Sequence, residues 1–284
     1  MSRSILKVYG SRFAPIADLV TYSPLPSAEL QQLDPFLFLN HHGYQEYKPN
    51  NNGLPFGPHP HRGMETVTFI LSGDIKHEDS GGHESVIDAG GIQYMRAGRG
   101  LLHAETSSDR FKKEGGPLEI LQLWLNMPAK QKMAEPLYKG LQANEIPVAK
   151  LNEGRVKYHL IFGNLKGVQA PLTHDALDLT LGWLTFSEGG IAELPVPADH
   201  TIFCYTVGGS FQVQGEKVGQ RKLIEFNYEE GSVEIKALEE GVILFGHARP
   251  LNEPVVAQGP FVMNSEEEIR QAYIDYQQGK FGTW

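Results

Sequence analysis

Two segments 136 residues apart carry the same pattern of strand and turn: TVTFILSG at 66–73 and IFCYTVGG at 202–209. Each is a run of β-branched and aromatic residues that stops at glycine, which is how a strand ends in a tight turn. Laid over each other at this shift, Gly73 falls on Gly209, Leu71 on Val207 and Phe69 on Tyr205. Similar short runs recur as SVIDAGGIQYM (85–95), LEILQLWLNMP (118–128), LDLTLGWLTF (177–186) and GSVEIKALEEGVILFG (231–246). The 31 glycines and 18 prolines supply the turns between them. The chain therefore reads as all-β and as a duplicated β-domain. The polar stretch 129–155, with PAKQKMAEP (128–136) at its head, reads as the connector, and the two domains are expected at 1–134 and 135–284.

One helix is signalled, near 265–278. Ser265 and Glu268 fit a capping box, Ile269, Ala272, Tyr273 and Tyr276 recur at helical spacing, and Gly279 is placed to stop it. Its tyrosine face is expected to dock. Cys204, the only cysteine, lies in the apolar run TIFCYTV and reads as a buried, inert thiol. Net charge is −9, and no basic stripe stands out, which argues against direct nucleic-acid binding. The opening MSRSILKVYG has no long apolar run, and no segment approaches the ~18 apolar residues of a membrane span. An intracellular, cytoplasmic protein without membrane contact is expected, and a monomer.

The chemistry concentrates in two stretches. His59-Pro60-His61 places two imidazoles at i and i+2, so in an extended segment both point to one side. Pro60 removes a ladder donor, which suits a strand end or loop. After 41 residues, His103-Ala104-Glu105 repeats the parity, preceded by Gly98 and Gly100. His59, His61, His103 and Glu105 thus offer three imidazole nitrogens and one carboxylate, a donor set for one divalent transition metal: Fe, Mn, Co, Ni, Cu or Zn. A structural site would more often be closed and contain cysteine. Glu65 shares the parity of His61, but four residues is ~13 Å along a straight strand. It is assigned a supporting role, and Glu105 is taken as the ligand. His41 and His42 end an apolar run at a pocket mouth or in ordinary packing. Arg96 and Arg99 flank the second stretch as anion-attracting or solvated groups. His77-Glu78-Asp79 has a similar look on a hairpin end but reads as a solvated turn, and His159, His174, His200 and His247 are assigned ordinary roles.

PHPHRGMETVTFILSG (58–73), HEDSGG (77–82), MRAGRGLLHAE (95–105) and NEPVVAQGPFVMNSEEEI (252–269) together resemble the pirin family of the cupin superfamily. Gly53, five residues, His59-x-His61, three residues, Glu65 resembles the cupin spacing, and Gly98, Gly100 and His103 resemble its second motif. The resemblance implies two tandem cupin β-barrels of jelly-roll type. It implies one metal, Fe(II) foremost, held in the first barrel by His59, His61, His103 and Glu105. The second barrel would be metal-free, since Pro195 and Pro197 fall where His59 and His61 stand. Two activities are implied. One is a quercetin 2,3-dioxygenase that takes a flavonol and dioxygen and releases carbon monoxide, with Glu105 as catalytic base. The other is a non-catalytic, metal-dependent regulator that binds a protein partner, nuclear in a eukaryote.

Overall fold

In the computed structural model, which describes residues 2–284, strands dominate and the helices are few. The chain divides into two units. The first comprises Phe13–Ser23, Phe36–Ala143 and Asn252–Trp284; the second comprises Met1–Arg12, Pro24–Pro35 and Asn144–Leu251. The expected division at 134/135 differs from this in both directions. The strand Ile5–Gly10 pairs antiparallel with Lys222–Phe226 of the second unit, while the C-terminal helix belongs to the first. Pairing between strands more than 200 residues apart leaves no local trace in composition.

The two units repeat one topology. In the first, Phe56–His61, Leu101–Thr106, Asp74–Asp79 and Glu84–Asp88 form a four-stranded sheet in that spatial order. In the second, Ile191–Val196, Gly231–Ala237, Phe211–Val213 and Glu216–Val218 follow the same order. Each unit also has a seven-stranded sheet. In the first unit it runs Leu137–Leu141, Ile92–Arg96, Met64–Ser72, Gly116–Asn126, Phe36–Tyr47, Thr21–Leu25, Arg12–Phe13. Gly116–Asn126 pairs antiparallel with Phe36–Tyr47 and Met64–Ser72, and Gly241–Ala248 with Thr180–Phe186 and Thr201–Gly208, as expected for short strands joined by tight turns.

The expected connector is not featureless. Leu137–Leu141 pairs with Ile92–Arg96 as an edge strand, Val148–Leu151 pairs with Val156–Phe162, and short 3₁₀ turns separate them. The adjacent Lys139 and Gly140 in LYKGL hid the strand. Lys132, in the same stretch, is fully buried; its Nζ donates to Asn126 Oδ1 (2.7 Å), Gly63 O (2.7 Å) and Val262 O (3.0 Å). All three ammonium hydrogens are thereby used, which is the condition for burying a lysine.

The two interiors differ in chemistry. The second unit is filled by a large apolar cluster that includes Tyr158, Leu184, Cys204, Phe211, Ile235 and Phe245. Burial pushes the Cys204 thiol well up, away from the reactive thiolate, as the sequence implied. In the first unit one apolar cluster includes Leu19, Ile70, Ile75, Phe111 and Ile120, and polar side chains, His61, Thr68, His103 and Glu105 among them, are buried as well.

The predicted helix forms as Glu266–Gln277, with Ser265 Oγ accepting from Glu268 N at 3.3 Å. Of the four residues at helical spacing, Ile269 and Ala272 are buried and Tyr273 is half-buried against Phe261, ring centroids 4.8 Å apart, while Tyr276 is exposed. Asp275, which the spacing did not single out, is buried because it meets a buried arginine, Arg62. A second helix, Asp109–Glu114, is only six residues long; Ser108 caps it by accepting from Phe111 N.

Two buried histidines remote from the 59–61 stretch set a pH dependence. Thr21 Oγ1 and His42 Nδ1 lie 2.9 Å apart, and burial, with His41 adding, pushes His42 down to about 4. In the second unit the Nδ1 atoms of His200 and His247 lie 2.9 Å apart, and burial, then His200, pushes His247 down to about 3. An unfolded histidine protonates near pH 6.5. Between about pH 6.5 and 4 the unfolded chain therefore binds more protons, and stability, full above 6.5, falls as pH falls. His42 alone accounts for about 3 kcal/mol across that window. Urea unfolding of metal-free protein at pH 7, 6, 5 and 4 should show this slope, and His42→Leu should flatten it. An unchanged slope in that variant would remove His42 from the account.

Candidate metal centre

The strand Phe56–His61 lies at the edge of its sheet, where a proline is tolerated, and pairs with Leu101–Thr106. His59 and His103 are direct cross-strand partners, and His61 sits opposite Leu101. The alternation of the pleat turns all three imidazoles to the same face. Ring centroids lie 4.4 Å apart for His59 and His103, and 5.0 Å apart for each of the pairs His59–His61 and His61–His103. One ligand nitrogen from each ring lies within 4.8 Å of the other two.

The hydrogen bonds fix which nitrogen faces inward. His59 Nδ1 donates to Gly57 O at 2.7 Å, and His61 Nδ1 donates to Pro260 O at 3.2 Å. In the neutral tautomer this leaves each Nε2 as a lone-pair donor, oriented by a carbonyl behind it, as metal-binding histidines commonly are. His61 Nε2 and both ring nitrogens of His103 are buried without a hydrogen-bond partner. Burial, with the other imidazoles adding, pushes His61 down to about 3 and His103 well below its ordinary value. His61 and His103 are thus neutral at physiological pH. Three convergent imidazoles, two of them with buried unsatisfied nitrogens, fit a divalent transition metal.

Glu105 is buried two residues beyond His103, but it is not part of the 4.8 Å cluster. A register shift lies between them, with His103 opposite His59 and Glu105 opposite Phe56. Its carboxylate accepts from Thr68 Oγ1 at 2.7 Å and from Gln122 Nε2. Thr68 and Gln122 stand directly opposite each other on neighbouring strands of the seven-stranded sheet. Sequence reasoning did not single out either one. Their signal is a polar residue inside an otherwise apolar strand, as in TVTFIL and LQLWL.

The remaining candidates have other partners. Glu65 hydrogen-bonds to Tyr94, consistent with the supporting role given to it. His41 Nε2 meets Glu119 Oε1 at 2.9 Å, and His42 is engaged by Thr21. Arg99 pairs with the Glu135 carboxylate at 2.9 Å, and Arg96 donates to the Glu135 backbone. His77 is not in a solvated turn but buried within the strand Asp74–Asp79 and close to the centre: its ring stacks on Tyr138 at 3.8 Å and lies 5.6 Å from His103, and its Nε2 meets Asp79 at 3.0 Å. Gly98 explains one glycine of the second stretch. Its φ is +52°, and a Cβ there would lie 2.1 Å from Ala134 O.

Residues 18–125 match the family model for pirin, and residues 183–282 match that for the pirin C-terminal cupin domain. Human pirin is 36% identical over 268 residues, covering 90% of this chain and 87% of its own. A pirin-like protein of Caulobacter vibrioides is 34% identical over 258 residues, covering 90% and 91%. The crystal structure of a quercetin 2,3-dioxygenase from Acinetobacter baumannii superposes with a TM-score of 0.93 at 31% identity, covering 100% of this chain and 99% of that one. The repeated topology, the polar interior of the first unit and these matches agree: the chain belongs to the pirin family, with two cupin domains in tandem.

Proposed function

We propose that the first cupin unit holds one divalent transition metal, Fe(II) foremost, on His59, His61 and His103, with Glu105 as the fourth ligand, and that the protein is a flavonol 2,3-dioxygenase. The observation that carries this is the buried, partnerless set of imidazole nitrogens, His61 Nε2 with both nitrogens of His103. A bound ion would supply Lewis-acid charge at the flavonol hydroxyl and carbonyl oxygens and a redox partner for dioxygen. Glu105 takes the flavonol hydroxyl proton onto a carboxylate oxygen, which makes the ring electron-rich. Thr68 and Gln122 hold that carboxylate in place. Half-buried Trp124, stacked on Phe38 at 4.5 Å and edge-on to His61 at 5.3 Å, offers a flat aromatic wall next to the centre. In the overall reaction both atoms of dioxygen enter the product, two ring carbon–carbon bonds break, and the carbon between them leaves as carbon monoxide. The likeness to the Acinetobacter quercetin 2,3-dioxygenase supports the substrate class.

The test is anaerobic loading with Fe(II), then with Mn(II), Co(II), Ni(II) and Cu(II), followed by quercetin and air. Oxygen uptake equal to quercetin loss, with carbon monoxide released, is expected. Metal retention without flavonol-dependent uptake for any ion would overturn the enzymatic part. Metal-dependent docking of a protein partner would then be the surviving reading.

A further inference from the structure

We infer that Gln122 is a positioning residue for Glu105, set in turn by the indole of Trp124; this rests on the metal site proposed above. Glu105 comes from the four-stranded sheet, and its charge is gripped from the other sheet. Thr68 and Gln122 form one cross-strand pair there, and each donates one hydrogen bond to the carboxylate. An ionised carboxylate has about four lone-pair positions, so two donors leave others free for an ion or a proton. The amide of Gln122 can act as a donor only if its nitrogen faces Glu105. Trp124 Nε1 settles that: an indole N–H only donates, and it lies 3.2 Å from Gln122 Oε1. The indole thus requires the oxygen of Gln122 on its own side and sends the NH₂ group toward Glu105. Trp124 also packs edge-on against His61. One relay, Trp124 to Gln122 to Glu105, therefore ties the aromatic wall to the carboxylate beside the three histidines. Of the chemistry-bearing residues in LQLWL, the triad needs neither glutamine nor tryptophan, which leaves this relay as their assignment.

The probe is Co(II), whose visible spectrum reports coordination number and ligand set. The wild-type protein, Gln122→Leu, Glu105→Gln and the double variant are titrated. Gln122→Leu should weaken Co(II) binding about tenfold, as loss of a supporting hydrogen bond near a metal commonly does, and should change the Co(II) spectrum. In the Glu105→Gln background the same substitution should change neither. Equal affinity and an unchanged spectrum in Gln122→Leu would overturn the inference, as would a full effect in the double variant. Should Gln122→Leu fail to fold, Trp124→Phe decides. It keeps the ring but deletes the N–H, and is expected to shift the Co(II) spectrum in the same sense; an unchanged spectrum rejects the relay. Absence of Co(II) binding by the wild-type protein would instead reject the metal site itself.

Discussion

Replacing His103 by leucine should abolish divalent-metal binding and leave the metal-free protein at least as stable as the parent. A structural histidine behaves in the opposite way. It is buried because its nitrogens are bonded, as His41 is to Glu119 and His42 to Thr21, and its loss strands a partner. His103 is 1% exposed and neither nitrogen has a partner. An unsatisfied buried polar group costs about 1–3 kcal/mol. Leucine is close in size and carries no polar atom, so urea unfolding in chelator should give a change between zero and a gain of that order. With Co(II) or Fe(II) at a hundredfold excess over its dissociation constant, the wild-type protein should gain about 2.7 kcal/mol, and the variant none. A His103→Leu protein that loses several kcal/mol in chelator, or that still titrates with metal, would mean that the three rings serve packing and not an ion.

The convergence of His59, His61 and His103 was legible in the sequence because its geometry is local. A period of two puts His59 beside His61, and the same parity puts Glu105 beside His103. Only the pairing of two strands had to be supplied, and the flanking glycines marked them. The surroundings of Glu105 were not legible. Whether its carboxylate meets Thr68 and Gln122 depends on the register of the other sheet, where shifts fall between Leu118 and Ile120 and between Glu119 and Ile120. A one-residue slip turns a side chain to the opposite face. The interleaving of the two units was hidden for a related reason. The halves do resemble each other, as the 136-residue repeat indicated, and the strand order bears it out. Yet where a terminal strand or helix docks is decided by partners 200 residues away. The tyrosines of the last helix fit an apolar spacing and drew attention from Asp275, which supplies its deepest polar contact.

That contact carries the second large effect. Asp275→Ala should destabilise the first unit by about 3–5 kcal/mol and weaken metal binding with it. Arg62 Nη1 donates to Asp275 Oδ2 at 2.9 Å, with both residues buried. Arg62 also donates through Nε to Arg99 O at 2.7 Å, and its guanidinium lies 4.7 Å from the centre of the Phe281 ring. Asp275 accepts further from Lys280 (2.7 Å) and Gln271 (2.9 Å), and the lysine bond, then that from Arg62, holds its carboxyl down to about 2 against the opposing effect of burial. Deleting one member of a buried ion pair leaves the other charged and uncompensated, hence the size of the loss. Replacing both members by apolar residues removes that charge, so Arg62→Met with Asp275→Leu should be less destabilised than either single alanine variant. The link to the metal runs through the backbone. Arg62 follows His61, Val262 N donates to Arg62 O at 3.0 Å, and Pro260 O accepts from the His61 ring. Gly63 closes the same contact: its φ is +76°, and a Cβ there would stand 2.1 Å from Val262 O. Loosening the helix therefore loosens the carbonyl that orients His61. Urea unfolding and Co(II) titration of the three variants test both halves of the expectation. A loss below about 1 kcal/mol in Asp275→Ala, the size of an exposed pair, or full Co(II) affinity in a destabilised variant, would show that the C-terminal segment does not support the metal ligands.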